Sequence, residues 1–173
     1  MTTSNLQLPA RLLLTWILPL SYTFPGSEKR KIKTAMKKYE FFDHTADMGL
    51  RVYGPSLAGL FENAGFALFD VLTDTARVKP RQTQRFDLRR DNVEELLVEW
   101  LGSLLYEFDA GGLLLCRFCV ERIDGLSLAA SARGEPFKPG VHELKTAVKA
   151  VTYHGLSIRQ KNGLWQATVV IDV

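Results

Sequence analysis

Apolar and polar positions along the chain switch between a period of two and a period near 3.6, and the switches mark the elements. The aromatic run Tyr39-Glu40-Phe41-Phe42 predicts a strand that runs into Asp43-His44-Thr45-Ala46-Asp47. Gly49 then lets the chain turn or bulge. Leu50-Arg51-Val52-Tyr53-Gly54 alternates and reads as a second short strand. Ser56 is the candidate cap of a helix in which Leu57, Leu60, Phe61, Ala64, Leu68 and Val71 share one stripe. That helix ends near residues 72–74. Gly59 and Gly65 each cost it up to ~1 kcal/mol relative to Ala, and Gly65 is a candidate for close packing. Residues 81–88 read as a polar, half-exposed strand. A second helix starts at Asp91-Asn92-Val93-Glu94, with Asp91 at the cap and Glu94 three residues on. Val93, Leu96, Leu97, Trp100, Leu101, Leu104, Leu105 and Phe108 give it a broad apolar face. At ~1.5–3 kcal/mol per large side chain buried, that face is a large part of the core. Gly111-Gly112 stops the helix.

Residues 113–123 and 126–132 are strands joined by Asp124-Gly125, a strong hairpin signal. Residues 134–140 read as a loop from their Pro and Gly. Residues 146–153 are β-rich, and the chain continues extended to a turn at Lys161-Asn162-Gly163 before the last strand, residues 165–173. Two amphipathic helices among mainly hairpin-linked strands indicate an α+β fold, a single two-layer domain with mainly antiparallel sheet.

Residues 1–35 look foreign to this pattern. The run Leu12-Leu13-Leu14-Thr15-Trp16-Ile17-Leu18-Pro19-Leu20 is short of the ~20 residues that span a bilayer. It resembles the apolar part of a signal peptide, but no small-residue cleavage site follows. The expectation is an N-terminal extension over 1–35, disordered or outside the domain, ahead of a folded domain over 36–173; a targeting segment is the alternative.

The net charge of +3 changes meaning once this extension is set aside. It carries Arg11, Lys29, Arg30, Lys31 and Lys33 against Glu28. Of 22 basic and 19 acidic residues, 17 and 18 remain in the body. Nucleic-acid affinity comes largely from neutralising phosphates, so a near-neutral body argues against autonomous nucleic-acid binding, a local basic patch aside. Cys116 and Cys119 form a C-x-x-C. In a strand they point to opposite faces, and no second pair completes a zinc site. They read as ordinary thiols of a reducing, cytoplasmic compartment.

The candidate chemistry lies at the two ends of the domain. In the final strand Asp172 escapes the apolar face formed by Trp165, Ala167, Val169 and Ile171. With the main-chain oxygens of Val173, and Asp47 across the sheet, it makes an all-oxygen set suited to Ca²⁺ or Mg²⁺. Asp43 and His44 sit beside it in sequence. On the residues alone, the same aspartates also serve as turn-formers, and His44 and His154 as structural histidines. Lys149 is either an exposed lysine or a charge partner for the carboxylates. Strict alternation separates it from His154 unless the strand bulges or turns at Gly155. There is no Gly-rich phosphate loop, no Ser-His-Asp spacing and no zinc motif.

Asp43-His44-Thr45-Ala46-Asp47, Leu60-Phe61-Glu62-Asn63-Ala64, the 100–108 helix, Gly134-Glu135-Pro136-Phe137, the run from Val148 through Lys149, His154 and Gly155 to Leu156, and Ile171-Asp172-Val173 resemble the archease family, collinearly over 36–173. Met48 after the first motif and the two helix glycines are mild departures. The resemblance implies a protein cofactor rather than an enzyme. Archeases assist the GTP-dependent RtcB-type RNA ligase in tRNA splicing and RNA repair, promoting guanylylation of the ligase and multiple turnover. By position, the resemblance implies Asp47, Asp172 and Val173 as ligands of a divalent metal, Ca²⁺ first, with Mg²⁺ or Mn²⁺ as alternatives. It places Lys149 in the same patch, with Asp43, His44 and His154 as further candidates. The expected partner is the ligase, with no direct nucleic-acid or membrane binding. The rival readings are a small metal-dependent phosphoester hydrolase using the same carboxylates, and a general chaperone or RNA-binding module.

Overall fold

Strand β1 (Tyr39–His44) and β2 (Asp47–Gly54) form a hairpin, and β2 pairs in turn with the last strand of the chain, β7 (Leu164–Asp172). In the computed structural model, which describes residues 37–44 and 47–173, β6 (Ala150–Lys161) completes a four-stranded antiparallel sheet of order β1-β2-β7-β6. The remaining strands, β3 (Gln82–Arg89), β4 (Leu113–Ile123) and β5 (Ser127–Pro136), form a second antiparallel sheet of order β3-β5-β4. Helices α1 (Leu57–Leu72) and α2 (Val93–Gly111) join them. α1 packs on β2 and β4, and so on both sheets; α2 packs on β6, β3 and β4. The fold is α+β. The expectations for residues 1–35 lie outside the described residues.

Both helices begin as their sequences dictate, one of them a residue late. Ser56 Oγ accepts the Gly59 N–H at 3.1 Å and caps α1. In α2 the cap is Asn92, not Asp91: its side chain accepts the Glu95 N–H at 2.8 Å and donates to Glu95 Oε1 at 2.8 Å. Asp and Asn are equivalent caps, and the hydrophobic stripe cannot choose between neighbours. Gly112, at φ 62, ends α2 in the left-handed region.

Trp100 is the hub of the core. It is fully buried, its indole N–H donates to the Phe61 carbonyl at 3.0 Å, and Phe86 stands edge-on to it at 5.1 Å. It thereby ties α1 and α2 to the β3-β5-β4 sheet.

Three local expectations are corrected. Gly49 is not at a turn but inside β2, where the Phe42 ring lies over it and would overlap any Cβ. Gly134 and Pro136 do not open a loop; β5 runs to Pro136, and Gly134 is required because the Leu114 carbonyl crosses where a Cβ would be. Residues 146–149 are not strand. The backbone leading into them is satisfied by the end of α1, with Lys145 N–H donating to Leu72 O at 2.9 Å and Thr146 N–H to Val71 O at 3.3 Å.

Candidate functional site

The register of the first sheet decides which candidate residues meet. β1 and β2 pair His44 with Asp47. β2 and β7 pair Met48 with Ile171, and the same register carried one residue on sets Asp47 opposite Asp172. Asp172 in turn pairs with Ala150 of β6. One row therefore crosses the end of the sheet, from His44 through Asp47 and Asp172 to Ala150. Alternation fixes the faces. Ile171 is fully buried and Met48 packs against the core, so Asp47 and Asp172 take the opposite face. Directly opposed residues have Cβ atoms about 4.5–5.5 Å apart, which sets two carboxylates side by side.

Lys149 joins this row from the residue before β6. Its backbone N–H donates to the Asp172 carbonyl at 2.8 Å. Its ammonium donates to the Val173 main-chain oxygen at 2.9 Å and lies 3.6 Å from Asp172 Oδ1. Lys149 is thus a charge partner of the acidic tip. Both side chains remain open, 65% and 45% exposed, so the ion pair stabilises the fold by no more than about 1 kcal/mol.

The other candidates fall differently. Asp43 pairs with Met48, one step off the row, so its side chain takes the face away from Asp47 and Asp172. His154 lies in a bulge of β6, where the register slips between Thr152 and Ser157 and Gly155 adopts φ 61. The strand does bulge, yet His154 stays up-strand of the row: its N–H donates to Thr152 Oγ1 at 3.3 Å, and Thr152 pairs with Val170, two residues short of Asp172. Among the described residues, no group of three or more His, Cys, Asp or Glu side chains is gathered to hold a metal ion. The candidate donor set is two side-chain carboxylates and the main-chain oxygen of Val173, a hard all-oxygen set that suits a cation such as Ca²⁺.

Two charged clusters have no counterpart in the sequence reading. On the Asp47 face, Glu40 accepts from Lys37 Nζ at 2.6 Å, Arg51 Nη1 at 2.7 Å and the Tyr53 hydroxyl at 2.8 Å. These bonds, that from Lys37 foremost, hold its carboxyl down at about 2. Arg51 also lies 5.0 Å over the Phe42 ring. The alternation of β1 and β2 carried this signal, since residues 40, 42, 49, 51 and 53 share a face. The second cluster, Glu135 with His142, is buried. The Lys79 N–H, at 2.8 Å, is the main cause holding the Glu135 carboxyl below its ordinary value. Cys116 is buried and Cys119 exposed, both as free thiols; burial pushes the Cys116 thiol up.

A model of the Archease protein family (MTH1598/TM1083) matches residues 39–173. The chain belongs to the archease family. The archease of Sulfurisphaera tokodaii is 43% identical over 140 residues, which cover 80% of this chain and all of that protein. That of Methanothermobacter thermautotrophicus is 42% identical over 141 residues, again covering 80% of this chain and all of the relative. The solution structure of Methanobacterium thermoautotrophicum protein 1598 superposes with a TM-score of 0.71 at 42% identity, over 80% of this chain and 100% of that one. The crystal structure of a Thermotoga maritima archease, described as a possible chaperone, shares the fold at a TM-score of 0.55 and 22% identity, over 76% of this chain and 94% of that one. Among the described residues no helix is long and apolar enough to cross a membrane.

Proposed function

We propose that this archease is a cytoplasmic protein cofactor of an RtcB-type RNA ligase, acting in tRNA splicing and RNA repair through its acidic tip. The observation that carries the reading is the row itself: Asp47 falls opposite Asp172 by register, and Lys149 is bonded to the next residue, Val173. Asp47, Asp172 and the Val173 main-chain oxygen would hold a divalent cation, Ca²⁺ before Mg²⁺ or Mn²⁺, because the set is made of hard oxygens and Ca²⁺ tolerates irregular oxygen shells. When bound, such a cation would supply concentrated positive charge at an exposed surface. The chain's own residues do the rest. Lys149 balances part of the negative charge of Asp172 and Val173 where a cation would otherwise sit, and the sheet register fixes the spacing of the two aspartates. Docked at the ligase's guanylylation centre, the tip would act by electrostatic preorganisation.

The exposure of Lys149 and Asp172 fits docking better than an enclosed catalytic pocket, which disfavours a stand-alone hydrolase. Among the described residues the exposed large apolar side chains are Phe41, Tyr106, Leu126, Val141, Leu144 and Tyr153, drawn from several segments of the chain; a general chaperone surface calls for a contiguous apolar patch.

The experiment is multiple-turnover ligation by a cognate ligase with and without this protein, alongside Asp47→Ala and Asp172→Asn. Wild type should stimulate and both variants should not. Full stimulation by Asp47→Ala would remove the tip from the mechanism.

A further inference from the structure

The near-neutral charge of the body conceals a segregation. Helix α2 carries Glu94, Glu95, Glu99, Glu107 and Asp109 and no basic residue. Between residues 81 and 137 every basic side chain is arginine. Most of these arginines face one way. In β3 the core-facing Phe86 is buried, while Arg85, Asp87 and Arg89 are exposed. In β5, Leu128, Ala130 and Ala132 are buried, so Ala129, Ser131 and Arg133 point outward. In β4 the outward positions are Arg117 and Cys119, after which a bulge exposes both Glu121 and Arg122.

Register aligns them in rows: Thr83–Arg133–Arg117, then Arg85–Ser131–Cys119, then Asp87–Ala129–Arg122. One face, three strands or roughly 10 Å wide, thus presents Arg85, Arg89, Arg117, Arg122 and Arg133 against only Asp87 and Glu121. Among the described residues Arg85, Arg89, Arg117 and Arg122 form no salt bridge. Arg133 donates to the Pro80 carbonyl at 2.8 Å, and Glu121 accepts from Ser131 Oγ at 3.1 Å.

We infer that this outer face of the β3-β5-β4 sheet docks the phosphodiester backbone of single-stranded RNA. Arginine presents a planar fork that engages phosphate bidentately, which lysine does not. Acidic protein is the other partner of such a charge, but protein interfaces are anchored by buried aromatic or apolar side chains. None of the exposed large apolar residues lies at an outward position of these strands. The central strand instead offers Ala129 and Ser131, and beside them opens a shallow hollow of about 240 Å³ lined by Arg85, Phe86, Asp87, Glu121, Ala129 and Ala130. The hollow itself holds two carboxylates against Arg85; the small side chains of the central strand leave a chain of phosphates room to run beside it, along Arg117 and Arg133. The choice of RNA over DNA rests on the function proposed above; the choice of a phosphate backbone does not.

The test uses the full chain without ligase, so its failure and that of the acidic-tip reading are distinguishable. Binding of a short fluorescein-labelled single-stranded RNA is followed by anisotropy between ~50 and ~200 mM salt. Wild type should bind with an affinity that falls with salt. The double variant Arg117→Gln/Arg133→Gln should weaken binding about tenfold or more at the low-salt end and shallow the log–log slope by ~1.4, about 0.7 for each phosphate no longer neutralised. Circular dichroism checks that it is folded; Arg85→Gln/Arg122→Gln replaces it if it is not. Absence of binding at ~50 mM salt, a variant slope equal to wild type, or competition by poly-glutamate as effective as by unlabelled RNA would overturn the inference. So would binding to phosphatidylserine vesicles but not to RNA.

Discussion

Lys149 Nζ lies 2.9 Å from the main-chain oxygen of Val173 and 3.6 Å from Asp172 Oδ1, so one ammonium touches two of the three groups proposed to hold a cation. A positive charge in that position opposes a second one. Lys149→Met removes the charge with little change in side-chain length. It is expected to tighten Ca²⁺ binding about two- to fivefold, the equivalent of ~0.5–1 kcal/mol for an exposed pair. Isothermal titration calorimetry reads this directly. A weaker affinity in the variant would mean that the lysine assembles the ligands rather than competing with their cation.

Gly65 sets helix propensity against packing. Replacing it with Ala favours α1 by up to ~1 kcal/mol. The added Cβ would sit 2.8 Å from Phe118 Cδ1 and 3.0 Å from Leu104 Cδ1. Phe118 has little room to retreat, with Phe69 at 5.7 Å and Trp100 at 6.5 Å between ring centroids. Overpacking a core typically costs ~1–3 kcal/mol, so the packing term wins. Gly65→Ala should therefore lower the urea midpoint with an unchanged m-value. A rise in the midpoint would show that the Phe118 ring moves freely.

What the sequence discloses and what it hides follow from the range of each interaction. The Trp100 stripe is legible because period and burial are local properties of α2. That Asp47 and Asp172 stand at the same end of the sheet follows from register, since Asp47 opens β2, Asp172 closes β7 and the two strands are antiparallel neighbours. The face taken by Asp43 depends on where the hairpin turns, and one residue of shift reverses it. The start of β6 misleads because residues 146–148 have strand composition, while the backbone entering them bonds to carbonyls at the end of α1. Gly134 misleads because a glycine required by a crossing backbone looks, in sequence, like a glycine required by a turn. The arginine face is hidden by averaging, since net charge carries no information on direction.

Glu40 gives a pH dependence with a definite sign. Its carboxyl falls from 4.5 to about 2 in the folded state, through bonds from Lys37, Arg51 and Tyr53. A depressed folded value means that the ionised form is favoured by folding. The contribution is complete above about 4.5 and is lost as the pH falls toward 2. Glu40→Gln should therefore be less stable than wild type at neutral pH, and the two should converge as the solution is acidified through that window. Thermal melting at a series of pH values tests it; parallel curves would exclude Glu40 as a source of acid sensitivity.

His142 is committed to one tautomer by its two partners. Its side chain is fully buried. Nδ1 accepts the Lys138 N–H at 3.0 Å and so carries no proton itself. Nε2, 3.3 Å from Glu135 Oε1, is then the donor. Glu135 is in turn bonded to the Lys79 N–H at 2.8 Å and lies 3.4 Å from Arg81 Nε, so this imidazole ties residues 138–142 to the end of β5 and the segment before β3. His142→Ala would strand the Lys138 amide and leave a void beside Glu135, whose Oε1 keeps the Lys79 N–H, at a cost of about 1–3 kcal/mol. A loss of that order in chemical denaturation is expected, with proteolytic cleavage appearing first between residues 137 and 149. Nitrogen-15 shifts of the wild-type ring at neutral pH should show Nε2 protonated and Nδ1 bare. The opposite tautomer would mean that the Lys138 amide is not its partner, and that the loop is held by Glu135 without the histidine.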